Sequence, residues 1–330
     1  MPRPKIAVLY VGGSIGMVRN QKTGRIEPLE SLFEIHRFLP EMQKEASLQF
    51  FSLANLGSSE VTPDHWVEIA TTIEKHYDEF EGFVIIHGTN TMSYTAAALS
   101  FALQNLSKPV ILTGSLIPIN DPASDGRANL VYAIRAAQLD IAEVCIVLGS
   151  RILRGTRAEK AEQSVLQTFD SPKFPPLAEF TTSVRLHPWR SVRRKRSLVC
   201  KPMFDADVVS LTLHPGISDR LLDTVLELAP HGIVLRAYGS GMLPEQMFPW
   251  LRRVTQKKIP ILITSQLLRG NVDLHRYRKQ LALEQMGVIS GKNMTHECAV
   301  VKLMWALAHA KTPSKLQDLL EKSLVGELDE

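Results

Sequence analysis

Cysteine is scarce: Cys145, Cys200 and Cys298 are odd in number, widely spaced and without any Cys-x-x-Cys pairing. They fit a reducing compartment better than a disulfide framework or a zinc site. No uninterrupted run of about 18 apolar residues occurs, so no membrane-spanning helix is expected. Nor is there an apolar leader. Met1-Pro2-Arg3-Pro4-Lys5 runs straight into Ile6-Ala7-Val8-Leu9-Tyr10-Val11, which reads as a strand, and a cytoplasmic location is the expectation. Charge of either sign is not in large excess: 38 Lys and Arg against 34 Asp and Glu leave a net +4. That is too weak to argue for nucleic acid unless it is concentrated on one face. The first strand is not followed by Gly-x-Gly-x-x-Gly, and no glycine-rich loop ends in Gly-Lys-Ser/Thr, so a bound dinucleotide or nucleoside triphosphate is not expected.

What is present is ordinary globular material, 45% hydrophobic and 22% charged over 330 residues. A chain of this length exceeds the size at which single cores usually stop growing, so two domains are expected. Apolar runs of strand length recur: Ile6 to Val11, Leu48 to Leu53, Val84 to Ile86, Val110 to Leu112 and Val144 to Leu148. Helical spacing separates several of them, and Thr62-Pro63 opens one such helix as N-cap and first residue. A further helix is predicted from about Leu29 to Phe38. Alternation of this kind predicts α/β architecture with a doubly wound parallel sheet. Periodicity weakens from Leu153 to Pro188, and a second alternating region begins near Val208. The expected division is therefore an N-terminal domain over 1–190, a linker over 191–207 and a smaller C-terminal α/β domain over 208–330. After Thr295 the chain reads as helices and a short acidic tail.

The strand ends carry the polar chemistry. Gly12-Gly13-Ser14, Ser58-Ser59, Thr89-Asn90 and Gly114-Ser115 each follow a predicted strand, and a doubly wound sheet gathers such turns along one rim. A rim of hydroxyls and backbone donors suits a small polar ligand rather than a phosphate. A hydroxyl is a poor nucleophile at neutral pH and needs a positioned base, either a histidine or a lysine whose pKa is lowered by desolvation. Spacing alone does not choose which distant lysine serves.

Val11-Gly12-Gly13-Ser14-Ile15-Gly16-Met17 resembles the first active-site motif of bacterial-type L-asparaginases, and His87-Gly88-Thr89-Asn90-Thr91-Met92 resembles their second. Leu112-Thr113-Gly114-Ser115, Ser124-Asp125-Gly126-Arg127-Ala128-Asn129-Leu130, Arg236-Ala237-Tyr238-Gly239-Ser240-Gly241 and Asn293-Met294-Thr295-His296-Glu297 are similar to the cytoplasmic, type I branch in order and spacing. The resemblance implies two α/β domains, the larger one N-terminal with a flavodoxin-like parallel sheet. It implies hydrolysis of the L-asparagine side-chain amide to aspartate and ammonia through an acyl-enzyme, without a cofactor or metal. By position it makes Ser14 the nucleophile and Thr89 with Lys160 a second hydroxyl and its base. Substrate binding falls to Ser58, Ser59, Asn90, Ser115 and Glu297, the last entering from a neighbouring subunit in a homodimer or dimer of dimers. Three positions depart from the family pattern: Ser14 for threonine, Arg25 for tyrosine, and Asn90 for a carboxylate. Met242 and Leu267 also differ from residues common in relatives.

These departures keep a second reading open, a catalytically degenerate or specificity-altered member that binds a small amide or amino acid. His87 is read as a packed histidine at a strand end rather than a base. The basic run Arg190 to Arg196 is read as a solvated inter-domain loop rather than a nucleic-acid contact.

Overall fold

A computed structural model describes residues 3–20, 22–28 and 42–329, so the helix predicted around Leu29 to Phe38 lies outside the described residues. Contacts divide the chain into two units, Met1–Pro202 and Met203–Glu330. Among the described residues no helix is long and apolar enough to cross a membrane.

The first unit is built on β1 (Lys5–Gly12), β2 (Ser47–Leu56), β3 (Gly82–Ile86), β4 (Val110–Thr113), β5 (Val144–Leu148), β6 (Arg151–Arg154), β7 (Ala178–Phe180) and β8 (Val184–Leu186). Their order across the sheet is β8-β7-β6-β5-β4-β3-β1-β2. Strands β1 to β5 are mutually parallel, with β1 paired to both β2 and β3. Each of β1, β3, β4 and β5 reads as a continuous apolar run because both faces are covered. The chain leaves β1 for one side of the sheet and returns on the other at β3. Strand order thus reverses between β1 and β3, the point where a doubly wound sheet opens a crevice at its carboxyl edge. The remaining strands β6 to β8 are antiparallel and make the sheet mixed. They occupy the stretch of weak periodicity.

Helices α1 (Pro63–Lys75), α2 (Met92–Ala102) and α3 (Gly126–Ala136) follow β2, β3 and β4. Thr62 caps α1 as expected, with Pro63 in the first turn and His65 completing a reciprocal capping box. Helix α2 is buried almost all round, which explains its unbroken Ala96-Ala97-Ala98-Leu99 run. Leu130, Ala133 and Ile134 of α3 pack with Val84, Ile111 and Val147 in the core of this unit. Fully burying such a side chain is worth roughly 1.5–3 kcal/mol.

The stretch expected to be a solvated basic linker is partly fastened to this unit. Arg190 donates to the Asp140 carbonyl at 2.9 Å and carboxylate at 3.0 Å, and Arg193 reaches the carbonyls of Leu139, Glu81 and Ala137. Charge-assisted bonds to carbonyls left open at a helix end account for the ordering. Arg194, Lys195 and Arg196 are exposed.

In the second unit β9 (Val208–Thr212), β10 (Gly232–Ala237), β11 (Ile261–Ser265) and β12 (Ile289–Ser290) form a parallel sheet in that order. Its helices are α4 (Asp219–Leu228), α5 (Phe248–Gln256), α6 (Arg278–Gln285), α7 (His296–His309) and α8 (Pro313–Glu321). The acidic tail is drawn inward at Glu327. That carboxylate and Lys302 of α7 are both 0% exposed and meet at 2.6 Å.

Candidate active site

The first turn of the site follows from glycine. Gly13 has φ 93°, and a Cβ placed on it would sit 2.7 Å from the Gly88 Cα, so the Ser14 turn lies backbone against backbone on the His87–Asn90 turn. A Cβ on Gly88 would in turn meet the Ser58 Cβ and Oγ at 2.8 Å. These contacts bring the carboxyl ends of β1, β2 and β3 together at the switch point. Ser14 opens a single 3-10 turn and is half-buried.

The second motif is held from two sides. Ser58 Oγ accepts the Asn90 N–H at 3.1 Å, and Thr91 Oγ1 donates to the Ser58 carbonyl at 2.6 Å. Behind the turn, Trp66 Nε1 donates to Thr95 Oγ1 at 3.1 Å, and Thr95 Oγ1 lies 3.0 Å from His87 Nε2. His87 Nδ1 lies 2.7 Å from the Gly88 carbonyl, which is an acceptor only, so Nδ1 carries the proton and Nε2 accepts from Thr95. Burial pushes the His87 pKa down to about 4. A neutral, fully buried imidazole fixing the Gly88 carbonyl is a structural histidine, in line with the sequence reading.

Lys160 completes the cluster from a strand 71 residues beyond Thr89. Its Nζ donates to Thr89 Oγ1 at 2.9 Å and to Asn90 Oδ1 at 2.7 Å. The short strand Glu159–Lys160 is positioned by antiparallel pairing with Phe169–Asp170. Burial lowers the Lys160 pKa. Among the described residues no carboxylate bonds to its ammonium. As an ammonium Lys160 has only donors, so in that state the Asn90 amide presents Oδ1 to it.

Ser115 lies by Ile15: a Cβ added to Gly126 would meet both, each at 3.3 Å. Its hydroxyl is buried without a hydrogen-bond partner among the described residues. Asp125 and Asn129 hold this loop. Asp125 accepts from the Leu116 and Ile117 N–H groups, and Asn129 donates to the Gly114 carbonyl at 2.9 Å. Ser14, Ser58, Thr89, Asn90, Ser115 and Lys160 thus share one rim, while Ser59 is exposed and bonds to Glu60. Arg25 is exposed in the turn between the short strands Met17–Arg19 and Ile26–Pro28. Glu297 belongs to the second unit, in the first turn of α7, with one carboxylate oxygen buried.

Two supports escaped the sequence reading. Tyr10 ends its side chain against Gly16 and donates to Asn55 Oδ1 at 2.8 Å, bracing the Ser14 turn, and burial raises its pKa to about 12. The other is the Trp66–Thr95 pair, whose signal was only a tryptophan and a threonine on the buried faces of successive helices.

Fold and site together define an amidohydrolase. The N-terminal asparaginase model matches residues 5–191 and the glutaminase/asparaginase C-terminal domain model matches 207–320, so the chain belongs to the asparaginase family. It is 36% identical to L-asparaginase 1 of Escherichia coli (strain K12), covering 99% of both chains. It is 34% identical to a glutamyl-tRNA(Gln) amidotransferase subunit of Pyrococcus furiosus, over 98% of this chain and 77% of that one. The structure of L-asparaginase I from Vibrio cholerae superposes with a TM-score of 0.90 at 33% identity, covering 99% and 100% of the two chains.

Proposed function

We propose that the protein hydrolyses the side-chain amide of L-asparagine, or of a close four-carbon analogue, through an acyl-enzyme on Ser14. The Ser14 Oγ attacks the amide carbon, ammonia leaves with a proton delivered from the site, and water then hydrolyses the ester to release the acid and restore the hydroxyl. Thr89 and Lys160 form the second hydroxyl and its base. Ser58 and Ser115 bind the ligand at the rim, and Glu297 serves the site of a neighbouring subunit in a homodimer or dimer of dimers.

The observation that supports this reading best is the 2.9 Å bond between Lys160 Nζ and Thr89 Oγ1. A lysine with a burial-lowered pKa deprotonates more readily than a free one, and as the neutral amine it takes the threonine proton. Ammonia release from L-asparagine by the purified protein, lost in Ser14→Ala, is the expected result. Equal release by wild type and that variant would remove Ser14 from the chemistry.

The second reading, altered specificity, is favoured by one feature: Asn90 offers Lys160 a neutral amide oxygen where the family pattern has a carboxylate.

A further inference from the structure

Three glycines crowd the His87–Gly88 peptide. A Cβ on Gly13 would lie 2.7 Å from the Gly88 nitrogen and Cα, one on Gly88 would strike Ser58 at 2.8 Å, and one on Gly114 would lie 2.4 Å from the His87 carbonyl oxygen. Approach this close demands glycine, and glycine brings the widest backbone freedom of any residue. Gly88 stands directly before Thr89. The Gly88 carbonyl shares one peptide plane with the Thr89 N–H and Cα, so rotation at Gly88 swings Thr89 with it. A hydrogen bond to that carbonyl removes the freedom, and His87 makes it: its Nδ1 donates to the Gly88 oxygen at 2.7 Å.

The donor is fixed in turn by a chain of bonds that runs one way. Trp66 Nε1 can only donate, and it reaches Thr95 Oγ1 at 3.1 Å. Thr95 Oγ1 lies 3.0 Å from His87 Nε2 and gives its own hydrogen there, which leaves the ring proton on Nδ1. Trp66, Thr95 and His87 are all buried, so water does not compete for these bonds. On the far side of the turn Lys160 Nζ bonds to Thr89 Oγ1 at 2.9 Å, a contact that depends on the orientation of the Gly88–Thr89 peptide. We propose that His87 is a positioning residue for amide hydrolysis: by holding the Gly88 carbonyl it aligns Thr89 with Lys160 and against the Ser14 turn, and it exchanges no proton with the substrate. The inference rests on the amidase reading above.

The test uses the two side-chain amides that divide the imidazole between them. Asparagine carries its N–H on an atom bonded to Cγ, as Nδ1 is, and can keep the bond to Gly88, whereas glutamine reaches the Nε2 position and keeps only the side facing Thr95. In the full chain His87→Gln is expected to lower kcat for ammonia release from L-asparagine by roughly 10–10²-fold with KM within about threefold of wild type, the signature of misplaced reacting groups rather than lost binding. His87→Asn should recover most of that loss. Crystal structures of both variants read the alignment without turnover: Lys160 Nζ and Thr89 Oγ1 should part beyond hydrogen-bond distance in His87→Gln and stay within it in His87→Asn. Equal kcat losses in the two variants overturn the proposal, because a histidine that merely fills space does not distinguish them. Wild-type kcat or an unchanged Lys160–Thr89 bond in His87→Gln overturns it as well. If glutamine prevents folding, Thr95→Val decides, since it removes only the hydroxyl that holds the ring tautomer: a several-fold fall in kcat at unchanged KM sustains the alignment, and an unchanged kcat overturns it. A wild type that releases no ammonia sinks the amidase reading, and the Lys160–Thr89 distance in the two variants then judges His87 on its own.

Discussion

Lys160 and Lys302 are both lysines drawn out of solvent, and they differ in what faces the ammonium. Lys302 meets the Glu327 carboxylate at 2.6 Å and the carbonyls of Leu320 and Lys322 at 2.9 and 2.7 Å. Burial pulls its pKa down and the Glu327 charge holds it up. Lys160 meets a hydroxyl and an amide oxygen, and burial acts on it unopposed. A carboxylate locks an ammonium in place, whereas neutral acceptors hold the amine in either protonation state. The first arrangement fastens the end of the chain, since Glu327 also accepts the N–H groups of Leu324 and Val325. The second, on the function proposed above, leaves a proton free to move.

Removing each lysine should separate the two roles. Lys160→Met is expected to lower kcat/KM by roughly 10²–10⁴-fold. Its thermal unfolding should change little, because no buried charge is left behind. Lys302→Met should do the reverse. It strands Glu327 in an apolar site and should cost about 3–5 kcal/mol, read in urea unfolding, with the double variant Lys302→Met, Glu327→Leu recovering most of the loss. A Lys160→Met protein that unfolds as easily as Lys302→Met would erase the distinction.

His87 extends the comparison to a buried group held neutral. Its pKa of about 4 lies below the ordinary value near 6.5, so the unfolded chain binds more protons between those values. The stabilisation is complete above about pH 6.5 and is lost as pH falls towards 4. The full effect is about 3 kcal/mol from this one group. His87→Gln should flatten that part of the stability profile. An unchanged slope would mean that other groups carry it.

The sequence showed the parallel half of the first sheet clearly, because strands covered on both faces must be apolar from end to end and must stop at the glycines of the rim. It did not show β6 to β8. They are three or four residues long, and Arg151, Arg154, Glu179 and Arg185 interrupt any apolar pattern. The hydroxyls of the site were legible as residues just past strand ends. Their lysine was not, since nothing local links Lys160 to Thr89, and it entered only through family resemblance. The buried Lys302–Glu327 pair was not read from the sequence, since nothing local links a helix lysine to a carboxylate 25 residues on in a short acidic tail.

The smallest effect tests the comparison most directly, because it converts one kind of lysine into the other. Asn90→Asp places a carboxylate against Lys160 and should raise the pKa of the lysine, since an opposite charge favours the ammonium. In the wild type kcat/KM should rise with pH as Lys160 loses its proton, with a midpoint below that of an ordinary lysine, near 10.4. In the variant the same limb should move to higher pH, so that at pH 7 less of the enzyme holds a neutral base. A pH–rate limb that stays in place when Asn90 is replaced by aspartate would show that the titrating base is a group other than Lys160.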